Sequence, residues 1–198
     1  MRTTTRLVSG SVTALALTLG SCGGSGPTAD AGGDAPCVAP AAPYGIRVGD
    51  RMEGFTLPRC DGSMMTLYDS HLCEYSLIVV TIATGWCGAC AAQSEQLTRE
   101  IAIPYRDRGV RVVEVVYEDA EGGSPDAAFC TEWTTAAGGG LSEVDVVYTS
   151  HVPGFGVGAD GSSLPITVVA DQRGVIRSIL SGTDDGLTEL KAAIDAAL

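Results

Sequence analysis

The chain has 198 residues, 45% of them hydrophobic, and carries 12 basic against 24 acidic side chains for a net charge of −12. So negative a field argues against nucleic acid or anionic lipid as a ligand, and Lys191, the only lysine, leaves no basic patch. The length suits one domain with a substantial core, and no internal repeat is present.

Arg2 and Arg6 precede a mostly apolar run, Leu7 to Leu19, too short to span a bilayer comfortably and patterned as a signal segment. Leu19-Gly20-Ser21-Cys22 then resembles the lipobox of bacterial lipoproteins. That resemblance implies a signal peptide over residues 1–21, cleaved before Cys22, and a diacylglycerol on the Cys22 sulfur. An ordinary secretory signal is the alternative, and both imply export. Gly23 stands where an inner-membrane retention signal places Asp. The expected location is therefore extracytoplasmic, lipid-anchored and facing the periplasm, with the outer membrane favoured. Residues 22–43, dominated by Gly, Ala, Pro, Ser and Asp, read as a flexible tether spanning roughly 25 Å. Residues 44–198 form the expected domain.

Within it, Phe55-Thr56-Leu57 and Met65-Thr66-Leu67 flank Cys60-Asp61-Gly62-Ser63, the pattern of a β-hairpin. Leu77 to Ala83 is a buried strand. A helix is expected from Cys87 to Ile103, stopped by Pro104. Val110 to Tyr117 is a second strand. Pro125 to Ala137 reads as a helix capped by Ser124 and ended by Gly138-Gly139-Gly140. Ile166 to Ala170 and Val175 to Leu180 are strands joined through Asp171-Gln172-Arg173-Gly174, and Leu187 to Ala197 is a last amphipathic helix. The predicted fold class is α/β: a central mixed sheet with helices on both faces and an N-terminal β-hairpin.

Gly85-Trp86-Cys87-Gly88-Ala89-Cys90 stands between the buried strand and the helix. A strand that delivers a cysteine to a helix start sets its sulfur where unpaired backbone N–H groups favour thiolate, the nucleophile of disulfide exchange. A cysteine one turn later can attack a mixed disulfide formed on the first. Zinc would want two more thiolates or imidazoles at short spacing, and covalent haem would want His at position 91, which is Ala. A purely structural disulfide is possible, but so short a loop constrains little. No metal or other cofactor is expected.

Four cysteines remain besides Cys22 and this pair: Cys37, Cys60, Cys73 and Cys130. An even number in an oxidising compartment favours two structural disulfides, with free buried thiols as the alternative. Of three pairings, Cys60–Cys73 is preferred because both flank one short segment, which leaves Cys37 for Cys130.

The order of elements, Trp86-Cys87-x-x-Cys90 and Leu164-Pro165-Ile166-Thr167 together resemble the thioredoxin superfamily. Gly49-Asp50, Phe55-x-Leu57, Asp61-Gly62, Leu67, Ala83-Thr84-Gly85-Trp86-Cys87 and Asp171-x-x-Gly174-Val175-Ile176 resemble its exported TlpA/ResA-type redoxins, which share the hairpin with the AhpC/TSA branch. The resemblance covers residues 44–198. It implies a thiol–disulfide oxidoreductase with Cys87 as attacking thiolate and Cys90 as resolving thiol. It also implies a cis Pro165 whose neighbouring backbone at Leu164 pairs with a substrate chain, and Trp86 shielding the disulfide. The implied partners are protein or small thiol and disulfide substrates, and a membrane or periplasmic thiol donor.

Three positions depart from the family. Thr81 replaces a buried Asp, Gln93 a Glu, and Glu95 a helix-kinking proline, so the sequence names no general base. Gly88-Ala89 offers no cation or imidazole to a thiolate, which favours reduction or exchange over oxidation. A peroxidase is the alternative enzyme, since Thr84 is placed for a peroxiredoxin motif, but Val80 stands where that motif needs proline. Copper carriage would need another cysteine spacing, with His71 or His151 as the distal ligand. A docking module without catalysis is the remaining alternative.

Overall fold

The computed structural model describes residues 39–69, 74–136, 143–151 and 163–198, all within one compact unit. The expected leader, Cys22, Cys37, His71, Cys73 and the glycines 138–140 lie outside the described residues.

Strands β1 (Thr56–Pro58) and β2 (Met64–Thr66) form the expected antiparallel hairpin. The Asp61 carboxylate closes its turn, accepting from the Ser63 N–H at 2.9 Å and the Ser63 hydroxyl at 2.7 Å. Gly62 takes φ +82° there, a conformation L side chains avoid. Strands β3 (Leu77–Ala83), β4 (Val110–Val116), β5 (Asp145–Tyr148), β6 (Ile166–Asp171) and β7 (Ile176–Ser181) make a five-stranded sheet in the order β5-β4-β3-β6-β7. β3 pairs parallel with β4 and antiparallel with β6, so it is hydrogen-bonded on both sides. Every residue of β3 and β4 is buried, as their unbroken β-branched runs require of strands covered on both faces. β5 was not evident in the sequence, because four residues are too few to show a period.

Helix α1 (Gly88–Gln96) continues through a π-helical turn, Leu97–Ala102, into α2 (Ile103–Tyr105) and a 3-10 turn ending at Gly109, φ +77°. Pro104 therefore does not stop the helix. It sits in the first turn of α2, where its missing N–H is tolerated, and left-handed Gly109 ends the path instead. In α3 (Ala127–Ala136) the cap is Asp126 rather than Ser124, its carboxylate accepting from the Phe129 N–H at 2.9 Å. Asp184 does the same for α4 (Thr188–Ala197), accepting from the Thr188 N–H at 2.8 Å.

Leu77, Val79 and Ala83 share a core with Leu97, Cys130, Trp133, Leu190 and Ile194, while Ile78, Val80 and Ile82 share another with Met52, Met65 and Leu67. Among the described residues, α1, α3 and α4 thus cover one face of the sheet. Among the same residues, the hairpin and the segment before it pack on the second face.

The cysteine pairing is also corrected. Cys60 bonds Cys130, 70 residues away, with Cα atoms 5.1 Å apart, which excludes both Cys60–Cys73 and Cys37–Cys130. Proximity in sequence misled because Arg59 bridges to Val147 and carries the hairpin turn to the outer edge, β5. The disulfide clasps the hairpin on one face to α3 on the other. An ion-pair cluster reinforces this corner: Arg59 donates to Asp145 at 2.9 Å, and buried Arg111 donates to Asp145 at 3.0 Å and to Asp69 at 3.1 Å.

A loop of this length makes the clasp worth about 4 kcal/mol on chain-entropy grounds. The double variant Cys60→Ala/Cys130→Ala is expected to lose about 3–4 kcal/mol in urea unfolding while keeping the Cys87–Cys90 bond; an unchanged midpoint would refute the clasp.

Candidate active site

β3 ends at Ala83 and a tight turn delivers the chain to α1. Gly85 is required in that turn: a Cβ there would collide with the Phe129 ring and the Asp119–Ala120 peptide, and its N–H donates to the Glu118 carbonyl at 2.8 Å. Cys87 is the N-cap of α1, extended at φ −90° and ψ 100°, and its sulfur accepts from the Cys90 N–H at 3.1 Å. The sulfur thus occupies the position the sequence argument assigned to it, where the helix start favours negative charge. Cys87 and Cys90 are disulfide-bonded, Cα atoms 5.2 Å apart; Cys87 is 8% exposed and Cys90 1%.

Trp86 stands beside the pair, 54% exposed, its indole N–H donating to Glu118 at 2.5 Å. The Leu164–Pro165 peptide is cis, and Pro165 follows directly on the Ile82–Ile166 register pair, at the end of the sheet from which Cys87 departs. Leu164 is half-buried against both cores. Cys87, Cys90, Trp86, Leu164 and Pro165 are therefore gathered at one end of β3 and β6. Cys60 and Cys130 belong to the clasp. Cys22, Cys37 and Cys73 lie outside the described residues.

Two polar clusters lie beneath α1 on the helix-covered face. In the first, Gln93, 2% exposed, donates to Thr81 at 2.6 Å and to Thr167 at 3.0 Å, and the two threonine hydroxyls are 3.0 Å apart. Thr81 and Gln93, two of the three positions that depart from the resemblance, are thus hydrogen-bonded to each other, and the cluster they form with Thr167 holds no titratable group.

The second cluster contains the group the sequence reading missed. Glu114 on β4 is 1% exposed, and its register partner on β3 is Thr81. One carboxyl oxygen makes a short hydrogen bond with Ser94 of α1, and the other accepts from the Trp133 indole N–H of α3 at 3.3 Å. Ser94 also donates to the Cys90 carbonyl at 2.9 Å. A hydroxyl has one proton, so the full set of bonds is met at once when Glu114 is protonated and donates to Ser94. Burial supports this, pushing its carboxyl up to about 7 although the Ser94 and Trp133 bonds pull the other way. A glutamate within the run Val110 to Val116 was the available sequence signal, since a charge in a strand buried on both faces needs a reason.

No protein-family profile matches the chain, and no curated protein does. Solved structures do match. A Chlorobium tepidum protein named for thiol:disulfide interchange as DsbE is 20% identical, with a TM-score of 0.58 over 77% of this chain and 98% of that one. A secreted Mycobacterium tuberculosis disulfide oxidoreductase, described as homologous to E. coli DsbE, is 15% identical with a TM-score of 0.50 over 72% and 95%. A thioredoxin-like protein from Aeropyrum pernix is 16% identical with a TM-score of 0.51 over 72% and 89%. The fold is thioredoxin-like, as the sequence predicts.

Glu114 makes stability pH-dependent. Its proton is held to about pH 7 in the folded state but lost near the ordinary 4.5 when unfolded, so between these values the native state binds more protons. Stability is expected to fall by about 3 kcal/mol as pH rises from 4.5 to 7 and to level off above. Glu114→Gln keeps both hydrogen bonds and should flatten this slope in urea unfolding across that range; an unaltered slope would show that Glu114 is ionised throughout.

Proposed function

We propose that the protein is an extracytoplasmic thiol–disulfide oxidoreductase, held at the membrane by a lipid on Cys22, in which the Cys87–Cys90 couple exchanges with protein or small-molecule disulfides. The observation that carries this reading is Cys87 at the N-cap of α1, its sulfur on the Cys90 N–H, with the more exposed of the two sulfurs set beside Trp86 and the cis Pro165.

In the reducing direction the Cys87 thiolate attacks a substrate disulfide and forms a mixed disulfide, and Cys90 displaces the substrate sulfur to close the Cys87–Cys90 bond. A membrane or periplasmic thiol donor then restores the dithiol. The backbone at Leu164 and Pro165 is the edge along which a substrate segment would lie, with Trp86 as the opposite wall. Reduction or exchange is favoured over oxidation because Gly88-Ala89 supplies no positive charge to stabilise the reduced form. The peroxidase reading gains nothing from the fold, since Val80, at the position where its motif needs proline, belongs to the core on the opposite face of the sheet from Cys87. Likewise His151, with its ring on Ser150, belongs to no metal-ligand cluster among the described residues, and His71 lies outside them.

The purified domain is expected to reduce insulin with dithiothreitol as electron source. Cys87→Ser should abolish this, and Cys90→Ser should accumulate mixed disulfides seen as high-mass adducts that vanish on reduction; full activity of Cys87→Ser would end the proposal. For the anchor, Cys22→Ala is expected to leave an exported but unprocessed or soluble protein, and unchanged membrane fractionation together with unchanged processing would remove the lipid.

A further inference from the structure

We propose that Glu114, held beside Cys90 by Ser94, is the proton-handling residue of the Cys87–Cys90 couple: it takes the proton that Cys90 releases on closing the disulfide and returns it when the disulfide opens. This rests on the exchange reading above and assigns the base that the sequence leaves without a candidate.

The argument begins with the burial of Cys90. At 1% exposure its sulfur is shut off from bulk water, so neither loss nor recovery of its proton is free. The nearby Gln93–Thr81–Thr167 cluster contains no group that titrates near neutral pH. Of the two buried acids among the described residues, Asp171 lies at the far end of β6 and is tied to Arg177, while Glu114 is separated from the Cys90 backbone by two hydrogen bonds: carboxyl to Ser94 hydroxyl, and hydroxyl to Cys90 carbonyl. Ser94 is one turn from Cys90 on α1, so its hydroxyl ties the acid to the backbone of the residue that carries the buried thiol.

The groups meeting Glu114 from its surroundings are few. From α1 these are Ser94 and the Cys90 carbonyl; from α3, the Trp133 indole. Its register partners, Thr81 on β3 and Val146 on β5, carry no charge. Glu95 and Glu132, the acidic residues of α1 and α3, are both exposed.

The proton inventory of the structure fits the assignment. With the disulfide closed, a neutral Glu114 meets every hydrogen bond of the Ser94 hydroxyl. In resolution, the Cys90 sulfur forms its bond to Cys87 and the bond from Cys87 to the substrate sulfur breaks. The electron pair leaves on the substrate as thiolate, and the Cys90 proton moves to the Glu114 carboxylate, so one negative charge is present before and after. In the reverse direction an incoming thiolate bonds to Cys87 and the Cys87–Cys90 bond breaks. Glu114 then protonates the departing Cys90 sulfur and keeps the charge.

The experiment is a single turnover. Reduced full-length protein is mixed with glutathione disulfide and quenched in acid. The dithiol, the glutathione adduct and the closed disulfide are then counted by mass from about pH 5.5 to 9. Glu114→Gln, which retains both hydrogen bonds, is expected to form the adduct at the wild-type rate but to resolve it at least about tenfold more slowly at pH 7.5, without the wild-type inflection near pH 7. Ser94→Ala, with Glu114 intact, should also accumulate the adduct. Wild-type resolution rates and pH profiles in both variants would overturn the proposal while leaving disulfide exchange in place. Equal slowing of adduct formation and resolution in Glu114→Gln would also overturn it, marking a purely structural role. A wild-type protein that forms neither adduct nor closed disulfide would instead overturn the exchange reading, and this one with it.

Discussion

Everything at the site depends on β3 being held from both sides. Its parallel ladder to β4 and antiparallel ladder to β6 fix the strand in register over its whole length, and its two faces are each sealed by a core. The chain leaving Ala83 therefore starts from a rigid point, and the turn at Gly85 allows it one way forward, into α1. A cysteine placed four residues past the strand lands on the helix N-cap because neither the strand nor the helix can shift to accommodate it. The chemistry of Cys87 is a consequence of that immobility: its sulfur meets the Cys90 N–H whether or not a substrate is near.

Beneath the helix the same face must be both packed and polar. Thr81 and Glu114 face each other across the β3–β4 ladder, at positions where Val79 and Val112 show that an aliphatic side chain would pack. The helix answers with Gln93 and Ser94, adjacent residues that satisfy one strand position each. Each polar group is worth little alone, and each would be costly if left unpaired at this depth. The two clusters therefore fix the rotation of α1 about its own axis, and with it the direction in which Cys87 faces.

Sequence made the skeleton of this arrangement legible. The buried strands, the cysteine pair at a strand-to-helix junction and the Leu164-Pro165 element all carry strong local signals, and the structure places them together. What escaped was information held between elements. β5 is too short to show a period, and Pro104 looked like a stop because a π-helical turn, which makes it harmless, leaves no mark in composition. Met65 and Leu67, read as hairpin residues, are also members of the second core, a role that depends on strands distant in sequence. Glu114 was passed over as one polar residue in an apolar run, although its significance lies in Ser94 and Trp133, both remote in sequence.

The Cys60–Cys130 clasp sets a requirement on any molecule that keeps the active pair reduced. On the proposed exchange reading, the protein must protect the one disulfide its own integrity relies on. Here that protection is built from an asymmetry of burial. Cys130 is sealed at 0% exposure, so an incoming thiolate can approach only through Cys60, which is half-buried, and would have to expel the Cys130 sulfur as an anion into an apolar core. A thiolate expelled into such surroundings is poorly solvated and makes a poor leaving group. The clasp is thus shielded at the point of departure rather than at the point of attack, so on the proposed reading Cys87–Cys90 opens and closes without loosening the frame that presents it.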